Sequence, residues 1–250
     1  MDELTLLTAL HAPGDRQGPG GDEETRLAIT LSGLRQQQGL RIADIGCGTG
    51  ASTRVLAREL DAVVTAVDFL PAFLARLEEI AVAEGLGGRI ETLAAPMEAL
   101  PFEDLAFDAL WAEGAIYNVG FANGLCAWRR FLKPGGILAV SELTWLTAER
   151  PAELTQHWAG EYAEVDTAAA KLRVLEENGF SPVGYFPLPV QCWLDNYYRP
   201  LQRRFASFLA QFDHADAAQA IVAAEEAEIA LYERNREFVS YGFYVARKVR

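Results

Sequence analysis

A glycine-rich turn directly behind a short apolar strand constrains the fold of this chain more than any other feature. Residues 42–45 are apolar except for Asp44, and the turn Gly46-Cys47-Gly48-Thr49-Gly50 follows them. A helix is expected from about residue 52. Glycines allow a backbone to approach a ligand closely, and the next helix directs its N-terminal amides at it. The segment therefore predicts a ligand site at the carboxyl end of a first strand.

Strands and helices alternate along the following hundred residues. Alternation of this kind predicts an open α/β sheet with parallel strands and helices on both faces. Apolar runs predict strands at 42–45, 62–67, 90–94, 107–111 and 137–142, and helices at 52–60, 71–85 and 124–132 lie between them.

The last third of the chain is less regular and adds two more strand candidates, at 180–189 and 242–249. A long helical stretch, about 194–240, is predicted as an insertion before the last strand. It is either a packed helical pair or a cap over the ligand site. Residues 1–40 are predicted as N-terminal helices joined by a glycine-rich loop, and residues 41–250 as the ligand-binding domain.

Composition and charge exclude several classes of protein. The 35 acidic and 22 basic residues give a net charge of −13, which argues against a nucleic-acid partner. Three scattered cysteines and three scattered histidines form neither a disulfide framework nor a metal motif. The start of the chain lacks the basic region of a signal peptide, and no apolar run approaches the ~18 residues of a membrane span. We therefore expect a cytoplasmic protein without membrane insertion.

Two acidic residues restrict the ligand. Asp68 follows Gly46 by 22 positions at the end of the second strand, where its carboxylate suits the hydroxyls of a ribose. Gly46, Gly48 and Ala51 also satisfy a relaxed dinucleotide fingerprint, so NAD and S-adenosyl ligands both fit. Asp44 favours the second, because a carboxylate there repels a pyrophosphate but attracts the ammonium group of S-adenosylmethionine (SAM).

Four motifs follow one another along the chain. They are the glycine turn 44–50, Asp68, Met97-Glu98-Ala99-Leu100-Pro101-Phe102, and Leu132-Lys133-Pro134-Gly135-Gly136, of which residues 133–136 predict a turn. In this order they resemble the class I SAM-dependent methyltransferases, and most closely the small-molecule group that includes the ubiquinone and menaquinone methyltransferases. The segments 111–118 and 16–20 also resemble a bacterial subgroup. The resemblance implies a seven-stranded Rossmann-like sheet with only the last strand antiparallel, SAM as cofactor, S-adenosylhomocysteine as product, and no metal.

One position departs from the family pattern. Many relatives place an aspartate at position 96, where it accepts a bond from the adenine amino group; Pro96 has neither acceptor side chain nor N–H. Adenine recognition then depends on the Met97 backbone and on apolar walls, at a cost of about 1 kcal/mol. The predicted cofactor-binding residues are Asp44, Gly46, Cys47, Gly48, Thr49, Asp68, Phe69, Pro96, Met97 and Glu113.

The loop after the fourth strand is the expected acceptor side, and Glu113 and Tyr117 are its catalytic candidates. Glu113 could hold the ammonium group, orient the acceptor, act as a base, or be a solvated carboxylate. Tyr117 either faces the methyl group or packs. Asn118 lacks the Pro-Pro-aromatic continuation of amide and nucleobase N-methyltransferases, which disfavours those acceptors.

Aromatic residues suggest a substrate enclosure; the alternative is that most of them simply fill the core. The substrate candidates are Tyr117, Trp145, Trp193 and Tyr198. An enclosure of this type suits a flat or cationic small molecule.

Three questions stay open from the sequence. An NAD(P)-dependent oxidoreductase and a non-catalytic SAM-binding scaffold are the alternatives to a methyltransferase. Loop 16–20 either covers the cofactor, with Arg16 or Gln17 on its carboxylate, or is a plain linker. The helical insertion offers a surface for a homodimer.

Overall fold

Eight strands form one mixed sheet in the computed structural model, which describes residues 2–249. The order is β3-β2-β1-β4-β5-β8-β7, and the short β6 pairs with the end of β5. Neighbouring strands are parallel except at β8, which runs antiparallel to both β5 and β7. The strands are β1 Leu40–Ile45, β2 Ala62–Asp68, β3 Ile90–Ala94, β4 Phe107–Glu113, β5 Leu132–Trp145, β6 Asp166–Thr167, β7 Phe180–Pro187 and β8 Val239–Lys248.

The predicted Rossmann-like sheet, mostly parallel with an antiparallel last strand, is confirmed. The additional strand β6 has two residues, which is too short to leave a pattern in the sequence. The predicted turn at 133–136 lies inside β5, because Leu132 pairs with Phe107 and Ile137 with Ala109, so the chain bulges between them.

Helices cover both faces of the sheet. The predicted insertion, about 194–240, contains a π-helical turn, Leu194–Tyr198, and the helices α9 (Arg199–Gln211) and α10 (Asp216–Asn235). Helix α5 begins at Phe121, three residues before its predicted start. Gly124 lies inside this helix and packs closely against Ile116. A Cβ at position 124 would be only 2.7 Å from the Ile116 side chain, which explains the glycine. The helices are α1 Glu3–His11, α2 Asp22–Ser32, α3 Ala51–Glu59, α4 Pro71–Ala83, α5 Phe121–Trp128, α6 Ala152–Glu161, α7 Ala168–Glu177, α8 Val190–Trp193, α9 Arg199–Gln211 and α10 Asp216–Asn235.

The N-terminal segment and the insertion share one core on one face of the sheet. Leu6 and Leu10 of α1 are buried in the same cluster as residues of α9 and α10. Arg204 Nε donates to the Leu10 carbonyl (3.0 Å), and Asn196 Nδ2 donates to the Gly20 carbonyl (2.8 Å). β1 begins at Leu40, the last residue of the predicted N-terminal segment 1–40; the outermost predicted residues, Met1 and Arg250, lie outside the described chain.

The carboxyl ends of β1, β2 and β4 lie side by side because these strands are adjacent and parallel. The segments that follow them begin at residues 46, 69 and 114. Parallel α/β sheets bind ligands at this edge, and the sequence-predicted cofactor residues are concentrated there.

Candidate active site

The glycine turn after β1 is held against β2 by backbone hydrogen bonds. Gly46 and Cys47 both donate their N–H to the Val67 carbonyl, at 2.8 and 2.9 Å. Gly46 has φ of +73° and Gly48 of +55°, a left-handed conformation that strongly favours glycine. A Cβ at Gly46 would overlap the Ala115 methyl group. The turn therefore depends on glycine both for its conformation and for the close approach of the loop after β4.

Asp68 ends β2 and faces the same space. Its two oxygens accept the N–H groups of Gly48 and Leu70, each at 2.9 Å, and the residue is 8% exposed. Burial raises its pKa, although the two backbone bonds oppose the shift. A carboxylate has about four lone-pair positions, so two remain for hydroxyl groups of a ligand.

Asp44 lies behind the turn and does not line the cavity. Its Oδ2 accepts the hydroxyls of Ser52 (2.7 Å) and Thr53 (2.6 Å), while Oδ1 is buried with no partner among residues 2–249. Burial raises the pKa of Asp44 to about 7. A positive charge nearby would stabilise the ionised form of Asp44. The sequence predicted such an attraction for the ammonium group of SAM, although Asp44 would act from behind the turn and not as part of the cavity wall.

The segment 15–19 lies over the turn. The Thr49 N–H donates to Gln17 Oε1 (2.8 Å), and the Thr49 hydroxyl bonds to the carbonyls of Gly14 (2.9 Å) and Asp15 (3.0 Å). A Cβ on Gly48 would overlap the Gln17 side-chain oxygen. Thr49 thus anchors this segment, hereafter the cover loop, and does not line the cavity.

An ion pair closes the other end of the cover loop. Arg16 donates to Glu113 (3.0 Å) and to Asp22 (3.2 Å); the Arg16 and Glu113 side chains are only 10% and 7% exposed. Glu113 also accepts the Thr25 hydroxyl (2.7 Å) and the Trp111 indole N–H (2.9 Å). Three donors, one of them cationic, therefore fix the Glu113 carboxylate.

These groups enclose one cavity of about 550 Å³. Phe69, Pro96 and Met97 give one end an apolar wall, and Trp128 holds the Met97 carbonyl (3.1 Å). Arg16 and Glu113 form the charged end. The lining is Asp15, Arg16, Gln17, Gly18, Pro19, Gly46, Cys47, Gly48, Ala51, Ser52, Val67, Asp68, Phe69, Phe73, Ala95, Pro96, Met97, Glu98, Glu113, Gly114, Ala115, Tyr117 and Asn118.

The structure separates the predicted substrate aromatics. Tyr117 lines the cavity and remains partly exposed. Trp193 is buried, stacks on Tyr232 with ring centroids 4.4 Å apart and donates to Ser240. Tyr198 is fully buried, and Trp145 lines a separate groove. Apolar residues on helices pack equally well in a core, so the sequence pattern could not distinguish these positions.

Several site residues had no individual signal in the sequence. Ser52 and Thr53 hold Asp44, Thr25 and Trp111 hold Glu113, and Phe73 adds to the apolar wall. The hydroxyl pair Ser52 and Thr53 is the one clue that was readable, because it begins the helix after the glycine turn, eight and nine positions from the buried acid. The others come from distant segments that only the fold brings together.

A glycine turn after β1, an acid at the end of β2 and one shared cavity define a Rossmann-like protein with a site for an adenosine-containing ligand. Comparison with known proteins makes this specific. Residues 43–140 match the model of a family described as "methyltransferase domain". A demethylmenaquinone methyltransferase of Clavibacter sepedonicus is 31% identical over 206 residues, or 82% of this chain and 79% of that protein. The chain therefore belongs to the class I SAM-dependent methyltransferases, as the sequence motifs predicted.

Other relatives match a smaller part. A sterol 24-C-methyltransferase of Gibberella zeae is 32% identical over 112 residues, covering 44% of this chain. The chain spans only 29–43% of the first relatives' own length. A SAM-dependent methyltransferase of Geobacter sulfurreducens, solved with S-adenosylhomocysteine, has the same fold, with a TM-score of 0.83 at 18% identity over 98% of both chains.

Two negative findings concern residues 2–249. No helix in this range is long and apolar enough to cross a membrane. No group of three or more His, Cys, Asp or Glu side chains in the described chain is placed to hold a metal ion.

Proposed function

We propose that the protein transfers the methyl group of SAM to a small-molecule acceptor. The observation that carries this proposal is the single cavity in which Asp68, the glycine turn and the loop Gly114–Tyr117 meet beneath the cover loop. Family membership and the solved relative with S-adenosylhomocysteine support the choice of cofactor.

The cavity offers a group for each part of the cofactor. Asp68 has lone pairs left for both ribose hydroxyls, and Phe69 and Met97 suit the adenine ring. The Met97 carbonyl is already bonded to Trp128, so its amide is the backbone group left for adenine. Arg16 suits a carboxylate, and the negative charge of Asp44 favours an ammonium group. Bound SAM supplies a methyl group on a positively charged sulfur, already activated for transfer.

The residues of this chain then align the acceptor and exclude water. Glu113 is committed to three donors, so we assign it a positioning role, anchoring the cover loop, rather than that of a base. Tyr117 is the phenol at the acceptor end, where its ring packs edge-on against Tyr162 with centroids 5.9 Å apart. It orients the acceptor beside Gly114.

The alternatives receive no support from the comparisons. An oxidoreductase would place a dinucleotide pyrophosphate beside the buried Asp44, where negative charge is unfavourable. A non-catalytic scaffold would retain cofactor binding without methylated product, and the experiment below separates it from an enzyme.

Location and assembly complete the proposal. All three cysteines are free, and Cys47 and Cys192 are buried, which supports a reducing, cytoplasmic location. The absence of a nucleic-acid partner and a homodimer through the insertion stay predictions from the sequence.

Thermal unfolding with SAM, S-adenosylhomocysteine and NADH in parallel tests the cofactor. Ligand at 100 times its Kd adds about 2.7 kcal/mol, or roughly 5–10 °C for a chain of this size. We expect a shift with the adenosyl compounds alone; a shift with NADH alone would refute the proposal. Radiolabelled methyl transfer from SAM to a small-molecule extract then tests catalysis. SAM binding without any labelled product would establish the scaffold instead.

A further inference from the structure

Aromatic rings pack behind two residues that line the cavity, Gly114 and Tyr117. The Tyr241 ring packs against Gly114, where a Cβ would be only 2.8 Å away, and Trp193 packs edge-on against Tyr241 with centroids 5.0 Å apart. Tyr162 packs edge-on against Tyr117. Ring faces carry negative electrostatic potential and favour cations over anions.

A buried carboxylate with a free oxygen lies at this level of the sheet. Glu142 follows Ser141, which pairs with Glu113 at the end of β4, and it is 1% exposed. Its Oε1 lies 3.4 Å from Lys171 Nζ, but Oε2 is buried without a hydrogen-bond partner among residues 2–249. Lys171 and the Tyr162 hydroxyl both lower the pKa of Glu142 against the effect of its burial, and a positive charge at Oε2 would stabilise the ionised carboxylate further.

A second carboxylate approaches from the opposite face. Glu228 of α10 accepts the Tyr198 hydroxyl (2.8 Å), and no Lys or Arg of the described chain lies within 4.0 Å of it. Desolvation raises the pKa of Tyr117, and the charges of Glu228 and Glu142 raise it further. The same two charges also act on Tyr241. Contacts link both carboxylates to the acceptor end. Glu142 pairs with Gly242, the neighbour of Tyr241, and Glu228 is joined to Tyr241 through the packed rings of Tyr198 and Trp193.

Few cations oppose these carboxylates. Lys171 offsets Glu142, and His11 is 3.4 Å from Glu225. Glu164 also adds negative charge, although its carboxylate accepts the Phe121 N–H (2.8 Å). Burial raises the pKa of Glu142 to about 7 and also raises the pKa of Glu228. A positive charge between them would therefore favour their ionised forms, whereas an anionic acceptor would be repelled.

We propose that the methyl acceptor is a small amine. Its cationic head binds between Glu142 and Glu228, with the rings of Tyr117 and Tyr241 around it. This inference rests on the proposed methyl transfer and narrows its acceptor. The protonated amine first gives a proton to Glu142 Oε2. Its nitrogen lone pair then forms the N–C bond as the methyl–sulfur bond breaks, and the bonding pair stays on sulfur.

Two isosteric probes test the charge requirement without a reaction. Choline and 3,3-dimethylbutan-1-ol have nearly the same shape, but only choline is cationic and neither has a nitrogen lone pair. Calorimetric titrations with each are made on the protein saturated with S-adenosylhomocysteine. We expect choline to bind at least tenfold more tightly than the alcohol. Equal affinities, or tighter binding of the alcohol, would overturn the inference.

Variants locate the effect on the protein. Glu228→Gln keeps an acceptor for Tyr198 but removes the charge, and it should weaken choline binding about tenfold. Glu226→Gln, an exposed change on the same helix, should leave it unchanged. Equal choline binding by both variants would contradict the role of Glu228 in binding the cation. If Glu228→Gln does not fold, the comparison of choline with the alcohol on the unaltered protein decides alone. S-adenosylhomocysteine affinity separates the two proposals, because its absence would refute the cofactor and not merely the acceptor class.

Discussion

Replacing Asp68 by asparagine tests the cofactor geometry at its most determined point. The carboxylate accepts the N–H groups of Gly48 and Leu70, at 2.9 Å each. Asparagine offers one oxygen, so one of these backbone donors would face an amide NH₂. An unsatisfied buried donor costs about 1–3 kcal/mol. We therefore expect the melting temperature of the ligand-free protein to fall by about 2–12 °C.

Asp68→Asn should also weaken ligand binding, independently of its effect on the melting temperature. Hydrogen bonds from ribose hydroxyls to a charged acceptor contribute about 1.5–3 kcal/mol, so the Kd for S-adenosylhomocysteine should rise about 10- to 150-fold. Isothermal titration calorimetry measures it. Asp61→Asn is a matched control, because Asp61 also accepts a backbone N–H, from Gly39 (3.0 Å), but lies outside the cavity. A folded Asp68→Asn protein whose Kd stays within twofold would refute the placement of the ribose.

Three further changes test other parts of the structure. Burial raises the pKa of Asp44 in the folded protein to about 7, so the unaltered protein loses stability as pH rises and this carboxyl ionises. The Asp44→Asn protein has no such group. Denaturant titrations should therefore show its unfolding free energy gaining on that of the unaltered protein between pH 4 and 8, by up to about 4 kcal/mol. A flat difference would contradict this. Thr49→Val should release the cover loop and accelerate S-adenosylhomocysteine dissociation about 5- to 30-fold in stopped-flow experiments, whereas the exposed Thr30→Val should not. Trp193→Ala should cost about 3–5 kcal/mol of unfolding free energy with an unchanged Kd for S-adenosylhomocysteine; a weakened Kd would place Trp193 in the site after all.

Local patterns made most of the sheet predictable, and they also brought several predicted cofactor residues to one cavity. The glycine turn, Asp68 and Met97 belong to short contiguous motifs whose backbone geometry restricts the residue type. Trp193 and Tyr198 could not be assigned, because a helix carries no signal for which neighbour covers its apolar face. The partners of Glu113 were equally hidden, since Arg16 is 97 positions away along the chain. Long-range pairing of this kind depends on tertiary packing, which a single sequence does not display.

The contacts between the two ends of the chain also impose an order on biogenesis. Gly20, next to the cover loop, accepts a hydrogen bond from Asn196, which lies 176 positions later in the sequence. Leu10 of α1 accepts one from Arg204, 194 positions later. A nascent chain that has emerged only as far as β5 already contains the glycine turn and Asp68, yet it lacks the helices against which its first segment packs. Contacts of such high sequence separation form late. Every residue that lines the cavity lies within 15–118, so the walls of the site are synthesised first and the support for the segment that carries the cover loop comes last. Shortened translation products should therefore hold the cover loop less firmly.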